Sequence, residues 1–255
     1  MPSRKTAEIK LVSSHPEVYP PCDDSFLLVD SLLSDKTHLL SHSPSICLEI
    51  GSGSGYVLAS LALILGPGPL FLATDINPHA LNSTRETLVS HGLVPDPRYA
   101  FEFVETDIVS GMEDRLKGKV DVLVVNPPYV PTPEDEVGRG GIAAAWAGGE
   151  NGRRVIDRIL AAAEGVLSEK GWMYLVVVED NDPTGICVGM GKRGFCSRVV
   201  LQRSSDEEFL LVIKFWRDPD GVEKDDGDGV VRSLVRQVSS RLSFLWGNGD
   251  SQSAK

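Results

Sequence analysis

Glu49-Ile50-Gly51-Ser52-Gly53-Ser54-Gly55 is the stretch that decides the fold of this 255-residue sequence. It closes a short run of β-compatible residues, 45–50, and opens a longer run rich in leucine and alanine, 56–65, which a Gly-Pro-Gly-Pro sequence ends. A strand, a glycine turn and a helix in this order are typical of the first unit of a parallel α/β sheet. Because glycine has no side chain, such a turn also lets a ligand approach the backbone closely.

The apolar runs that follow continue the alternation of strand and helix. Asn77-Pro78 predicts the start of a helix that reaches residue 91, because asparagine is a favourable N-cap and proline fits the first turn. Strands are predicted at 70–74, 99–105, 120–125, 173–178, 197–202 and 208–215, and further helices at about 153–167 and 184–192. We therefore predict an α/β, Rossmann-like, doubly wound fold, with a seven-stranded, mainly parallel sheet, an antiparallel edge strand and helices on both faces.

The sequence predicts one folded domain at 18–217, preceded by an N-terminal segment at 1–17. Residues 218–229 contain six acids and one lysine between glycines, which indicates a solvated acidic linker. In 230–255, apolar residues recur at helical spacing with arginines between them, which predicts an amphipathic helix and a tail. This segment either docks as a helix on a partner or an anionic surface, folds back on its own domain, or forms a partly disordered tail.

Charge and cysteine content narrow the classes of function. With 25 Lys and Arg against 36 Asp and Glu, the net charge is −11, which argues against a broad nucleic-acid-binding surface. The four cysteines are scattered and without histidines at ligand spacing, so we expect free thiols and no metal site. The chain has neither an 18-residue apolar run nor a secretory signal. We expect a protein of the cytoplasm or the nucleus that does not bind membranes.

An acid and two glycines meet at the end of the first predicted strand, the edge at which ligands bind in open α/β sheets. The loop reads E-x-G-x-G-x-G, which differs from the G-x-G-x-x-G of dinucleotide-binding turns. The Glu49 carboxylate, beside the backbone of Gly51 and Gly53, suits a ligand with an ammonium group better than a pyrophosphate. The alternative is a tight turn with a structural role only.

Two further acids end the next two predicted strands. Asp75 stands where a carboxylate usually accepts hydrogen bonds from the two hydroxyls of a ribose. Asp107 ends the third strand, where it could accept from the exocyclic amine of an adenine. Either aspartate could instead cap a helix or a turn. Together with Glu49 they predict a site for an adenosine joined to a zwitterionic amino acid, and S-adenosyl-L-methionine fits this description.

Asn126-Pro127-Pro128-Tyr129 follows the fourth predicted strand. The two prolines remove two backbone donors and stiffen the turn, which leaves the Pro127 carbonyl and the Asn126 side chain as acceptors. They could hold both hydrogens of a planar NH2 group, with Tyr129 packed on its plane. Such bonds strengthen as the nitrogen gains positive charge, so they favour the transition state over the ground state.

The order of these motifs, over roughly residues 18–216, resembles the class I S-adenosylmethionine-dependent methyltransferases of the HemK-like group. Within it, residues 18–26 resemble the stretch ahead of the first strand in the eukaryotic and archaeal branch, where a hydroxyl residue, here Ser25, contacts the cofactor. That branch usually has Glu-Pro-Ala-Glu-Asp where this chain has Pro-Pro-Cys-Asp-Asp at residues 20–24. Residues 138–152 look like the substrate-side loop of the family.

The resemblance implies methyl transfer to the side-chain amide nitrogen of the glutamine in the Gly-Gly-Gln loop of a class I peptide-chain release factor. The residues implied for the acceptor are Asn126, Pro127, Pro128 and Tyr129. Those implied for the cofactor are Ser25, Glu49, Gly51, Gly53, Asp75, Asp107, Ile108 and Asn126. Only 48 residues precede Glu49, which leaves no room for the helical substrate-binding domain of bacterial relatives.

The shorter branch instead pairs with a small zinc-binding activator protein, so the resemblance implies a heterodimer. Three alternatives stay open. The same turn suits the adenine amine of DNA or a lysine as the acceptor, although the acidic chain disfavours DNA. A catalytically inactive, cofactor-binding scaffold is the third.

Overall fold

A computed structural model describes residues 6–138, 141–205 and 208–217. Within these ranges, seven strands form one sheet: β1 (Ile46–Ile50), β2 (Leu70–Asp75), β3 (Ala100–Glu105), β4 (Val120–Val125), β5 (Leu167–Val178), β6 (Cys196–Ser204) and β7 (Phe209–Trp216). The α-helices are α1 (Asp23–Ser34), α2 (Lys36–His42), α3 (Tyr56–Leu65), α4 (Pro78–Ser90), α5 (Glu113–Leu116), α6 (Arg154–Val166) and α7 (Pro183–Lys192). The predicted acidic linker and amphipathic helix, 218–255, lie outside the described residues.

The strand order is β3-β2-β1-β4-β5-β7-β6, and β7 is antiparallel to both of its neighbours. The units β1–α3–β2 and β4–α6–β5 each join parallel neighbours, and such crossovers are right-handed in nearly all proteins. Because they lead away from the β1/β4 pair in opposite directions, α3 and α6 cover opposite faces of the sheet. The predicted fold class is confirmed, with β7 as the reversed strand one position in from the edge.

Burial follows from this layering. β4 is buried throughout, as expected for a central parallel strand covered on both faces. β3, at one edge, has no fully buried residue. Among the described helices, none combines the length and the apolarity that a membrane span requires.

Several predicted elements have different bounds in the structure. α3 and β4 begin and end where the sequence predicts, whereas β5 begins at Leu167 instead of residue 173. Leu167 pairs with Val120, and the register then shifts before Trp172 pairs with Val122. The sequence predicts no element over residues 23–42, where the structure contains α1 and α2.

A buried ionic cluster ties the α1/α2 junction to the sheet. Asp35, between the two helices, accepts hydrogen bonds from Lys214 Nζ at 2.8 Å, from Tyr174 Oη at 2.8 Å and from Arg198. Burial alone would raise the pKa of Asp35, but these donors outweigh it and hold the pKa well below its usual range. The Lys214 ammonium also lies 3.2 Å from the centre of the Trp172 ring. One carboxylate thus joins α1 to β5, β6 and β7.

Candidate active site

A cavity of about 240 Å³ opens at the carboxyl ends of β1, β2, β3 and β4. The predicted site residues in its lining are Ser25, Glu49, Gly51, Gly53, Asp75, Asp107, Ile108, Asn126, Pro127 and Pro128. Tyr129 is not among the described residues that line it. The strand order reverses between β1 and β4, so the cavity lies at the topological switch point of the sheet.

Glu49 is the most deeply buried acid in the cavity lining. Its side chain lies at the end of β1 with 2% of the residue exposed, and no described residue hydrogen-bonds its Oε2 atom. Burial raises the pKa of Glu49 well above its usual range, and the nearby charge of Asp75 adds to the rise. A buried carboxylate oxygen without a described partner is a ready acceptor for a cationic group.

The three glycines of the first loop, Gly51, Gly53 and Gly55, have different surroundings. All three have positive φ, which favours glycine. A Cβ added at Gly55 would lie 2.6 Å from Thr84 Cα, so this glycine allows α3 and α4 to pack closely. A Cβ at Gly53 would meet nothing within 4 Å, and one at Gly51 would only reach the Asn126 carbonyl at 4.0 Å. The structural interpretation therefore fits Gly55, whereas Gly51 and Gly53 face open space in the cavity.

Asp75 braces the glycine loop from the end of β2. One carboxylate oxygen accepts from Gly53 N at 3.0 Å and the other from Asn77 N at 2.9 Å. Because a carboxylate has two oxygens with two lone pairs each, Asp75 retains capacity for a further donor. Burial raises the pKa of Asp75 despite these bonds. The pair of oxygens is thus fixed in place and still able to accept from a further hydroxyl.

Asp107 and Ile108 close the far side of the cavity. Asp107 Oδ2 accepts from Arg158 Nη2 at 2.6 Å, with both side chains about half exposed. Arg158 comes from α6, far away in sequence, and it lines the same cavity. Ile108 has a φ of +60°, a left-handed conformation that is strained for a β-branched residue and is found mostly at functional sites. The sequence gives no local signal for Arg158, because its partner is brought near only by the fold.

Asn126 has the second buried oxygen without a partner in the described chain. Its Oδ1 is inaccessible and makes no hydrogen bond. The neighbouring residues Pro127 and Pro128, which have no N–H, also line the cavity. Leaving such an acceptor unmatched costs about 1–3 kcal/mol, which a ligand with an N–H donor would recover.

Tyr129 is outside this lining, although its hydroxyl reaches Asp24, which is part of it. Its hydroxyl lies within hydrogen-bonding distance of Glu208 Oε2 at 3.1 Å and of Asp24 Oδ2 at 3.3 Å. Burial, followed by the charges of Asp24 and Glu208, raises the pKa of Tyr129, so its hydroxyl stays protonated as a donor. The packing of Tyr129 on an acceptor group stays a prediction.

Two segments outside the strand ends complete the cavity wall. Residues 17–19 line it, held by a 2.7 Å hydrogen bond from Asn77 Nδ2 to the Glu17 carbonyl. The predicted substrate-side loop contributes Gly141, Ala144 and Ala147, and a Cβ added at Gly141 would lie 3.1 Å from Glu17 Oε2. Small side chains in this loop leave the cavity accessible to a ligand.

The comparisons with known proteins point in one direction. A family model described as Methyltransferase small domain matches residues 25–185. Methyltransferase HEMK2 of Mus musculus is 47% identical over 199 residues, which cover 78% of this chain and 89% of the mouse protein. The eRF1 methyltransferase catalytic subunit mtq2 of Schizosaccharomyces pombe is 33% identical over 220 residues, 83% of this chain and 94% of the yeast protein.

A solved structure agrees with these matches. The Mtq2-Trm112 complex of E. cuniculi, described as responsible for methylation of the eRF1 translation termination factor, matches with a TM-score of 0.59. The identity is 27%, and the match covers 79% of this chain and 99% of that one. The resemblance drawn from the motifs is confirmed, and the chain belongs to the methyltransferase small-domain family, in its HEMK2-like branch.

Proposed function

We propose that the chain transfers a methyl group from S-adenosyl-L-methionine to the side-chain amide nitrogen of the glutamine in the Gly-Gly-Gln loop of a class I peptide-chain release factor. The supporting observation is a pair of buried acceptors in one cavity, Glu49 Oε2 and Asn126 Oδ1, neither with a described partner. The first suits an ammonium group and the second an N–H donor. The names of the yeast and E. cuniculi relatives support the release factor as the acceptor's source.

The donors and acceptors of the cavity fit this cofactor. Glu49 would accept from its ammonium group, and Asp75 from its ribose hydroxyls. Asp107 and Ile108 would lie on its adenine side, and Ser25, at the start of α1, would contact it. Gly51 and Gly53 leave space that side chains would fill. When bound, the cofactor supplies an electrophilic methyl group on a sulfonium.

The Asn-Pro-Pro turn would orient the acceptor. Asn126 Oδ1 and the Pro127 carbonyl accept the two N–H groups of the glutamine amide, and the proline nitrogens offer no competing donor. As the amide nitrogen gains positive charge, both bonds strengthen, which stabilises the transition state. We assign no general base, because the methylated nitrogen can lose its proton after the transfer.

A heterodimer is part of the proposal. The E. cuniculi relative was solved as a complex, and the yeast relative is named a catalytic subunit. The partner proposed for this chain is a small zinc-binding activator. β3 is an edge strand of the sheet, and its residues Phe101 and Phe103 are only partly buried. An edge strand of this kind suits an apolar partner.

The proposal is tested with labelled cofactor, the chain co-expressed with its activator, and three acceptors. These are the release factor, its variant with the loop glutamine replaced by alanine, and duplex DNA. We expect label on the unaltered release factor only. Label on DNA alone would replace the glutamine assignment with an adenine amine. Cofactor binding without label on any acceptor would favour a scaffold.

A further inference from the structure

Asn181 is a fully buried polar residue that no part of the proposed mechanism uses. It ends the short 3₁₀ turn Glu179–Asn181 that follows β5, with 0% of the residue exposed. Its Oδ1 accepts from Val178 N at 2.9 Å. Its Nδ2 donates to the Tyr129 carbonyl at 2.8 Å and to the Asn151 carbonyl at 2.9 Å. One amide therefore joins three segments that are distant in sequence.

The Tyr129 carbonyl is also confined by packing. Gly152, with a φ of +65°, lies so close that an added Cβ would be 1.8 Å from Tyr129 O and 2.5 Å from Asn181 Nδ2. The next residue, Val130, donates its N–H to the Trp146 carbonyl at 3.0 Å and accepts from Gly148 N at 2.9 Å. The downstream end of the Asn-Pro-Pro-Tyr turn is thereby attached to the substrate-side loop.

The turn has little of its own to fix its position. Pro127 and Pro128 have no N–H to donate, and Asn126 Oδ1 makes no hydrogen bond in the described chain. Its upstream end is fixed because it continues β4, which pairs with β1 up to Val125. Its downstream end depends on the contacts of Tyr129 and Val130. Among these contacts is the Asn181–Tyr129 bond, whose donor is a side chain in the turn that follows β5, the strand beside β4.

We propose that Asn181 is a positioning residue for the Asn-Pro-Pro-Tyr turn. By holding the Tyr129 carbonyl, it keeps the Asn126 and Pro127 oxygens in the positions that turnover requires. The inference rests on the proposed function, in which these two oxygens hold the amide. A displacement of about 1 Å between reacting groups can cost about a hundredfold in rate, so loosening the turn should affect turnover first.

The test compares Asn181→Asp with the parent chain. Aspartate has nearly the shape of asparagine and retains an acceptor for Val178 N, but it replaces the donor to both carbonyls with an oxygen. The matched control is Asp121→Asn, an isosteric change at a buried residue that accepts from Ser45 N and Ser168 Oγ at the opposite end of β4. Both variants are assayed with the activator, at a temperature below their unfolding transitions.

For Asn181→Asp we expect a drop in kcat of about tenfold to a hundredfold, with the KM for the cofactor changed less than threefold. Hydrogen exchange at the Val130 and Gly148 amides should quicken in Asn181→Asp and stay unchanged in Asp121→Asn. A kcat equal to that of the parent, or equal losses in both variants, would overturn the proposal. If the parent methylates no acceptor, the proposed function has failed, and unchanged exchange at Val130 and Gly148 would then overturn the positioning role separately.

Discussion

Glu49 and Asn126 each keep a buried oxygen that no described residue hydrogen-bonds, and stability alone does not explain either residue. An unmatched buried acceptor costs about 1–3 kcal/mol, and a hydrophobic residue of similar shape would avoid that cost. Residues that weaken a fold in this way are found preferentially where a ligand supplies the missing partner.

Replacing Glu49 with glutamine removes an ionisable group whose pKa is raised by burial. Because the raised pKa means that the folded state binds a proton more tightly than the unfolded state, the parent loses stability as pH rises above the usual value of 4.5. Ligand-free Glu49→Gln should therefore be the more stable chain, by a margin that grows by about 1.4 kcal/mol per pH unit up to the raised pKa. Denaturant unfolding from pH 5 to pH 8 measures this margin, and a constant difference across that range would contradict the prediction.

Replacing Asn126 with alanine separates function from folding. Since no described residue hydrogen-bonds Oδ1, folding stability should change little. Turnover on the release factor should fall about a hundredfold, with cofactor affinity much less affected. Single-turnover kinetics and cofactor titration provide the two measurements, with Asn82→Ala, an exposed residue of α4, as the control. Equal losses of turnover and cofactor affinity would assign Asn126 to the cofactor site instead.

The sequence identified the residues of the cavity that stand at strand ends, because an acid or a glycine directly after an apolar run is a local pattern. It could not identify Arg158 or Asn181. Arg158 reaches Asp107 from α6, and Asn181 reaches the Tyr129 carbonyl from the turn that follows β5. Both contacts form only when the sheet is assembled, so no residue spacing in the sequence predicts them.

At the scale of elements, the close approach of α3 and α4 depends on Gly55. An alanine there adds the strain of a left-handed conformation, about 1–2 kcal/mol, and a Cβ 2.6 Å from Thr84 Cα. We expect Gly55→Ala to lower the free energy of unfolding by about 2–4 kcal/mol in total.

Gly118→Ala is the control for Gly55→Ala, because Gly118 also has a positive φ but an added Cβ would meet nothing within 4 Å. It should cost only the strain of about 1–2 kcal/mol. Equilibrium denaturation of both variants measures the two losses in free energy of unfolding. Equal losses would mean that Thr84 moves aside and that the helix contact is not limiting.

The elements that the sequence predicts best are those with uniform surroundings. α3 is almost wholly apolar and β4 is buried on both faces, so their residue pattern alone marks their ends. α2 has only seven residues, and α1 buries the polar residues Asp24, Ser25 and Ser31 beside its leucines, so neither helix shows a plain apolar pattern in the sequence. α1 packs against α3, β5, β6 and β7, and α2 packs against α3. These elements are distant in the sequence, so the contacts cannot be read from it.

At the scale of the whole molecule, the Asp35 cluster connects the last strands of the sheet to the helix that presents Ser25 to the cavity. Because the pKa of Asp35 is lowered by folding, its contribution to stability is present above the usual pKa of an aspartate, about 3.9, and is lost as pH falls below it. Asp35→Asn should cost about 3–5 kcal/mol at pH 7, since Lys214 is left buried without its counter-charge.

The loss caused by Asp35→Asn should shrink as pH falls below the usual pKa of an aspartate, because the unfolded parent then binds a proton that the folded parent does not. Denaturant unfolding at pH 7 and pH 3 compares the two chains, with Asp96→Asn, a surface pair with Arg98, as the control. An unchanged difference between the two pH values would show that the charge of Asp35 is not what matters.

The three glycines of the first loop are constrained by different neighbours, so they should diverge differently among related sequences. In a descendant that no longer binds the ligand, selection at Gly51 and Gly53 would relax, because these positions face open space. Gly55 would persist, since its constraint comes from the backbone of α4 and does not depend on a ligand. A relative with Gly55 intact and the other two replaced would thus be a folded protein that has lost its chemistry, whereas loss of Gly55 alone would mark a repacked helix pair.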